Sequence, residues 1–133
     1  MSKLRQHGRT LLEWVALEQG RVVGHLAYST AFRNGEAVGY HLAPLAICPT
    51  RQRQGIASRL ILESLESPAL QGKTIFVLGD PAYYKRLGFE LIPAPRCPFD
   101  QGNQHFLARN LPAETDYEVG YLPEFTSVFK RVS

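Results

Sequence analysis

The segment PTRQRQGIASRL, residues 49–60, joins a polar loop with one glycine directly to an apolar pattern of helical period. Ala57, Leu60 and Ile61 recur at the spacing of one helix face, so a helix is predicted from Gly55 onward. The first N–H groups of a helix are unpaired and carry partial positive charge. Small residues let an anionic group approach these N–H groups closely. The segment therefore predicts either an anion site or an ordinary solvated helix start.

Three strand-like runs precede this segment, at Leu11–Leu17, Arg21–Thr30 and Ala37–Ile47. Turn signals separate them. Asn34-Gly35 is a strong hairpin signal, because both residues tolerate a positive φ. The three runs predict an antiparallel meander.

Pro44 lies inside the third run. A proline has no N–H to donate to a sheet, so a central strand must bulge or break at that point. Beyond it, Leu45, Ala46 and Ile47 are expected to offer unpaired backbone groups beside a cleft.

The residues after the helix predict a second half of the sheet. The run at 73–79, KTIFVLG, is typical of a strand buried on both faces, and strand–helix–strand order implies parallel pairing. Asp80-Pro81 predicts the start of a short helix that ends at Gly88. Strands are expected at 89–92 and 104–111, and an irregular tail or a last strand at 121–129. The predicted fold is α+β, with a mixed sheet and two helices.

Length and composition limit the possible classes of protein. The chain has 133 residues, which predicts one domain over 1–133, and 44% of them are hydrophobic. The net charge of +3 suits anionic small molecules and is weak support for a nucleic-acid partner. No apolar run is long enough to span a bilayer, and no signal peptide is evident. Cys48 and Cys97 have no metal or redox spacing, and the histidines are scattered, which favours a cytoplasmic protein without a metal.

Three motifs in a fixed order resemble one family. QRQGIA at 52–57 resembles the Q/R-x-x-G-x-G/A signature of the GNAT superfamily of N-acetyltransferases. LAPLAICP at 42–49 resembles the bulged fourth strand of that family, and YYKRLGF at 83–89 resembles its tyrosine motif. Together they look most like a bacterial subgroup of predicted N-acetyltransferases.

The resemblance implies direct transfer of the acetyl group of acetyl-CoA to a primary amine of an unidentified acceptor, either a small molecule or a protein. It implies one catalytic residue, Tyr84, which would protonate the leaving thiolate. It implies backbone pairing of pantetheine at 45–47, an oxyanion contact near Ala46 or Ile47, and pyrophosphate binding at 53–57. The implied cofactor-binding residues are Leu45, Ala46, Ile47, Gln52, Arg53, Gln54, Gly55, Ile56, Ala57 and Ser58. Direct contacts of the Arg51 or Arg53 side chains with phosphate remain open.

The general base that deprotonates the amine is not identified by the motifs. Glu36, His41, Glu90 and His25 are candidates, acting either directly or through a water molecule. A covalent role for Cys48 is disfavoured, because the family generally transfers the acetyl group directly.

The N-terminal part of the chain departs from the family pattern. The usual strand and two helices before the meander have no room in the ten residues ahead of Leu11, and SKLRQHGR is expected to be a solvated tail. The run LLEWVAL, with Trp14, would then be an exposed edge strand, which predicts a homodimer or a higher assembly. The alternative function is a non-catalytic CoA-binding sensor or interaction module, because the acceptor side looks incomplete.

Overall fold

The computed structural model describes residues 2–7, 11–112 and 116–121 of the chain. The strands are β1 Ser2–His7, β2 Leu11–Glu18, β3 Arg21–Arg33, β4 Glu36–Ile47, β5 Ile75–Leu78, β6 Glu90–Leu91 and β7 Phe106–Arg109. The helices are α1 Ile56–Leu65 and α2 Pro81–Lys85, and short 3-10 turns occupy Pro49–Arg51 and Gln101–Asn103. The strands form one sheet in the order β1-β2-β3-β4-β5-β7-β6. The predicted mixed sheet with two helices is confirmed. No described helix is long and apolar enough to cross a membrane.

The predicted meander is β2, β3 and β4. Gln19-Gly20 and Asn34-Gly35 form its two turns, and all four residues have a positive φ between 51° and 83°. Neighbouring strands joined by two-residue turns must run antiparallel. The two turns therefore fix the direction of the strands and the register next to each turn.

The register of β4 against β3 changes along the strand. The Asn34-Gly35 turn places Arg33 opposite Glu36, and a regular ladder from there would pair Val23 with Ala46. Instead, the Cys48 N–H donates to the Val23 carbonyl at 2.7 Å. Between these points β4 contains two more residues than β3, which is a β-bulge within the span that includes Pro44. This irregularity lies between Glu36 and Cys48, and the bulge or break at Pro44 itself stays a prediction.

The prediction that LLEWVAL is an exposed edge is wrong. Strand β1 pairs antiparallel with β2, with Leu4 opposite Trp14, and the Trp14 side chain is only 4% exposed. The expected solvated tail at the N-terminus is wrong for the same reason. The polar sequence SKLRQH has little strand signal of its own, but the open edge of β2 offers backbone partners that any adjacent segment can use.

The connection from β4 through α1 to β5 gives the predicted parallel pair. Tyr40 lies opposite Ile75 and His41 opposite Phe76, and this register ends at His41. Strand β5 is buried on both faces, as its apolar run predicts, and its other neighbour is the antiparallel strand β7.

The chain divides into two compact units, and β3 and β4 each contribute to both. The first unit comprises Met1–Tyr28 and Leu42–Gly72. In its core the Trp14 and Tyr28 rings meet edge to face at 5.4 Å. The buried Tyr28 hydroxyl donates to Ser64 Oγ at 2.7 Å, and Ser64 Oγ donates to the Ile61 carbonyl. These bonds satisfy the polar groups that α1 buries.

The second unit comprises Ser29–His41 and Lys73–Ser133. Its core packs strand residues against the 92–121 segment, and its buried members are Ala31, Phe76, Ile92, Cys97, Phe106, Ala108 and Val119. Gly120 exchanges two backbone hydrogen bonds with Phe32. The tail predicted at 121–129 lies outside the described residues except for Tyr121.

Candidate functional site

The end of β4 presents the first group of predicted site residues. Leu45 and Ile47 are half-buried and Ala46 is exposed. Gln52 Nε2 donates to the Ile47 carbonyl at 3.3 Å, so the side chain of the first motif residue ties the following loop back to the strand end. Gln52 therefore has a positioning contact within the first unit.

The loop and the first turn of α1, residues 52–57, carry the backbone N–H groups that the sequence predicts as an anion site. Arg53 and Gly55 both adopt left-handed conformations, with φ of 65° and 77°, and α1 begins at Ile56 without a side-chain cap. The backbone N–H groups at an uncapped helix start form a common anion site. A Cβ built on Gly55 would meet nothing within 4 Å, so the space beside it is open.

The remaining residues of the predicted set fall within the same segment. Gln54 and Arg53 are exposed, while Ala57 and Ser58 are half-buried in the first turn of α1. The side chain of Arg51 lies outside the described residues. The first unit thus brings the ten predicted cofactor-binding residues into one strand end, one loop and one helix start. The uncapped helix start and the open space beside Gly55 are features of an anion site.

Tyr84 lies on α2, in the second unit. Asp80 caps this helix by accepting the Ala82 N–H at 3.1 Å, as the sequence predicts. The Tyr84 ring contacts Phe89 edge to face at 5.7 Å and Tyr83 at 5.0 Å. Its ring also lies against Gly79, where an added Cβ would stand 2.6 Å from Tyr84 Cε2. Because Gly79 has no side chain, it leaves room for the Tyr84 ring.

The Tyr84 hydroxyl can act as a hydrogen-bond donor at neutral pH. Burial, and next the neighbouring Tyr83, raise the pKa of Tyr84 to about 12. The phenol therefore stays protonated throughout the neutral range. Within the described part of the chain its hydroxyl has no hydrogen-bond partner, so it remains available to an acceptor atom.

His41 is poorly suited to act as a base. Its side chain is 1% exposed, stacks on Tyr121 at 3.7 Å, and hydrogen-bonds through Nε2 to the Gly120 carbonyl at 3.0 Å. Burial lowers the pKa of His41 to about 4, so the imidazole is neutral. The Gly120 bond makes Nε2 the donor, and the buried Nδ1 then has no partner. His41 thus anchors the 116–121 segment within the second unit.

His25 differs from the other candidates, because a carboxylate orients it. Its Nε2 lies 3.5 Å from Glu13 Oε1 across β2 and β3, and the His25 side chain keeps 34% of its surface exposed. Glu36 and Glu90 are exposed, at a hairpin turn and on the short edge strand β6.

Both cysteines are free thiols. Cys48 Sγ lies 3.4 Å from Thr50 Oγ1 and its N–H belongs to the β3–β4 ladder. Cys97 is buried, and burial raises the pKa of its thiol. In the described ranges no group of three or more His, Cys, Asp or Glu side chains could hold a metal.

Three residues that contribute to this geometry were not predicted in those roles. Gly79 makes room for the Tyr84 ring, Gln52 ties the loop to Ile47, and Glu13 orients His25. Only Gln52 had a sequence signal, since it opens the motif. The Glu13–His25 contact joins two strands, and neither it nor the Gly79–Tyr84 contact follows from a motif.

Comparison with known proteins gives one consistent result. Residues 10–91 match the family model described as an acetyltransferase (GNAT) domain. The uncharacterized N-acetyltransferase YhbS of Escherichia coli K12 is 34% identical over 96% of this chain and 80% of its own length. The uncharacterized N-acetyltransferase YjhQ of the same organism is 39% identical over 73% of this chain, which spans 53% of that relative.

Solved structures show the same likeness. The crystal structure of E. coli YhbS in complex with CoA aligns with a TM-score of 0.76 at 33% identity, over 86% of this chain and 69% of YhbS. A GNAT family acetyltransferase from Brucella melitensis in complex with acetyl-CoA aligns with a TM-score of 0.68 at 32% identity, over 86% and 68% of the two chains.

Proposed function

The chain belongs to the GNAT acetyltransferase family, and from that premise we propose that it transfers the acetyl group of acetyl-CoA directly to a primary amine. The observation that carries this proposal is the 52–57 segment, in which Arg53 and Gly55 have a positive φ and α1 begins without a side-chain cap beside open space. The acceptor is proposed only as a class, an amine-bearing small molecule or protein.

Acetyl-CoA would supply the acyl donor as a thioester. The backbone of Leu45, Ala46 and Ile47 would pair with the amides of the pantetheine arm, and the bulge in β4 supports this, because a bulged strand leaves ladder groups unpaired. The N–H groups from Arg53 to Ala57 would hold the pyrophosphate. An N–H at Ala46 or Ile47 would stabilise the developing oxyanion.

Tyr84 would donate a hydrogen bond to the departing thiolate. With a phenol pKa of about 12 and a thiol near 8.5, complete proton transfer is uphill by about 5 kcal/mol. Tyr84 therefore acts in this proposal as a hydrogen-bond donor that stabilises negative charge on sulfur, and it does not need to ionise.

The base in this proposal is His25. An amine acceptor with a pKa near 10 is protonated at neutral pH and must lose that proton before it attacks. His25 keeps an exposed imidazole surface and a carboxylate partner, Glu13, whereas His41 is buried and hydrogen-bonded.

The wider assignments complete the proposal: one acetyltransferase domain over 1–133, a cytoplasmic location and a homodimer. The edge offered for self-association is now β1, because β1 covers β2 and has no further neighbour in the described sheet. The alternative function is a non-catalytic CoA-binding sensor or interaction module.

The deciding experiment incubates the protein with acetyl-CoA and a panel of amines, covering peptides with free N-termini, lysine, polyamines and aminoglycosides, while free thiol is monitored. We expect thiol release that depends on the amine. Tight binding of CoA by calorimetry with no turnover on any amine would favour the alternative. Absence of CoA binding would contradict both.

A further inference from the structure

An aspartate–histidine pair lies in the loop between β6 and β7, within the second unit. Asp100 accepts the backbone N–H of His105, and its Oδ1 lies 3.5 Å from Nδ1 of the His105 imidazole. A carboxylate only accepts hydrogen bonds at neutral pH, so in the neutral ring Nδ1 carries the proton and Nε2 keeps its lone pair. The Asp100 side chain is 11% exposed and the His105 side chain 58%. The pair therefore leaves an oriented imidazole accessible to a ligand.

The loop that carries this pair is held by a buried side chain. Asn103 donates through Nδ2 to the carbonyls of Ile92 and Pro95, each at 2.8 Å. Its Oδ1 accepts the Cys97 N–H at 3.0 Å, so one side chain connects three points of the loop. His105 follows two residues later, and β7 begins directly after it. The imidazole is therefore attached to a backbone with a defined conformation.

The strand register places His105 next to the Tyr84 ring. Leu78 lies opposite Phe106 in the antiparallel pair of β5 and β7. The ladder continues by one more pair, because the Gly79 N–H donates to the His105 carbonyl at 2.9 Å. Residues directly opposite each other point to the same face of a sheet, with Cβ atoms about 4.5–5.5 Å apart. A Cβ on Gly79 would stand 2.6 Å from Tyr84 Cε2 and 3.5 Å from Tyr84 Cζ. His105 and the Tyr84 ring therefore both adjoin the Gly79 position, on one face of the sheet.

The proposed reaction involves two proton transfers from the acceptor nitrogen. An ammonium group loses one proton before the attack and a second one as the tetrahedral intermediate collapses. The proposed base for the first proton is His25. Tyr84 donates a hydrogen bond to the departing sulfur, but its pKa of about 12 makes complete transfer of its own proton to a thiolate unfavourable. A further group that takes the second proton from nitrogen and gives it to sulfur would complete the exchange.

We propose that His105 is this proton carrier. In the tetrahedral intermediate the nitrogen and the sulfur are bonded to the same carbon, so one imidazole beside the sulfur can reach both. Nε2 takes the proton from the positively charged nitrogen. The oxyanion then re-forms the carbonyl, the C–S bond breaks with its electron pair on sulfur, and Nε2 gives the proton to the thiolate.

The products of this step are the N-acetylated acceptor, CoA as the thiol and a neutral His105. Asp100 is a positioning residue, because it selects the tautomer in which Nε2 has a free lone pair. The inference rests on the proposed function, since it takes the departing sulfur to lie beside the Tyr84 hydroxyl.

Turnover of variants with the best amine of the panel tests this role. His105→Ala should lower kcat by about 100-fold, within the range for acid–base groups, and should leave CoA affinity by calorimetry unchanged. Free imidazole should raise the kcat of His105→Ala in proportion to its concentration, which a merely structural defect would not allow. Gln104→Ala is the matched control, because Gln104 is the exposed neighbour of His105 and should keep wild-type turnover with or without imidazole. Asp100→Asn should also lower kcat, since an amide N–H facing Nδ1 favours the tautomer with the proton on Nε2.

A second measurement needs neither a variant nor turnover. In isotope-labelled wild-type protein, the nitrogen resonances of His105 should show the Nδ1–H tautomer. The Nε2 resonance should shift on addition of CoA and stay in place on addition of desulfo-CoA, which lacks the thiol. Wild-type turnover of His105→Ala, a loss that imidazole does not restore, or equal Nε2 shifts with the two ligands would overturn the proton carrier while acetyl transfer stands. Wild-type protein that binds CoA and acetylates no amine would instead remove the proposed function, and the proton carrier with it.

Discussion

Replacement of Gly79 by alanine should displace the Tyr84 ring. The added Cβ would stand 2.6 Å from Tyr84 Cε2, whereas carbon atoms in favourable contact are about 3.5–4.0 Å apart. Gly79 does not have a positive φ, so alanine is compatible with its backbone. Its N–H bond to the His105 carbonyl at 2.9 Å also holds the strand end in place. The ring must therefore move, by about 0.9 Å or more.

A shift of this size in a catalytic group costs about 100-fold in turnover. We expect Gly79→Ala to lower kcat by about that factor and to leave CoA affinity unchanged, since Gly79 is not among the proposed cofactor-binding residues. Tyr84→Phe keeps the ring and removes the hydroxyl, and it should lower kcat by about 10² to 10⁴.

The assay follows CoA thiol release with the best amine of the panel, and calorimetry gives CoA affinity. The double variant Gly79→Ala/Tyr84→Phe should be no slower than Tyr84→Phe alone, because both changes act through one hydroxyl. Wild-type turnover in Gly79→Ala, or a further full loss in the double variant, would refute the reasoning. Ring NOEs between Tyr84 and Phe89 report directly whether the ring has moved.

Three further changes test other parts of the structure. Gly55→Glu should weaken CoA binding by at least about 100-fold, because it places a carboxylate beside the pyrophosphate. The control is Gly72→Glu, since Gly72 also has a positive φ (76°) and open space beside it, and this variant should bind CoA normally in the same titration. Burial lowers the pKa of His41 to about 4, so as the pH falls below 6.5 this histidine becomes protonated in the unfolded chain before it does in the folded protein. The free energy of unfolding should therefore drop by about 3 kcal/mol between pH 6.5 and 4. In urea titrations, His41→Gln should lose this pH dependence. Light scattering at micromolar concentration should show a dimer, and a clean monomer would remove β1 as an association edge.

Much of the fold follows from local signals. Asn34-Gly35 specifies a hairpin because both residues accept a positive φ, and Asp80-Pro81 specifies a helix start because a carboxylate caps the N–H of Ala82. Pro44 predicts the irregularity of β4, since proline has no N–H to donate. Each signal acts within a few residues, so the sequence alone is sufficient to reveal it.

Long-range contacts were not predictable in the same way. The pairing of β1 with β2 depends on an open strand edge, which any nearby segment can satisfy, and the polar sequence of β1 gives no indication of it. The Glu13–His25 pair joins β2 to β3, and the fit of the Tyr84 ring against Gly79 is visible only in the folded chain. Burial, which makes His41 neutral, is likewise a property of the packed chain.

The sequence by itself determined the family, the order of the elements from β2 onward and the start of α1 near Gly55, because motifs, turn residues and helix caps act through neighbouring backbone. Only the tertiary structure decided that His41 is buried in the core while His25 keeps an exposed surface beside the Glu13 carboxylate. It also decided that Trp14 is buried and where a cavity opens beside α1. The physical reason is that exposure, desolvation and cavity shape depend on residues distant in sequence, and they take definite values only after the chain has packed.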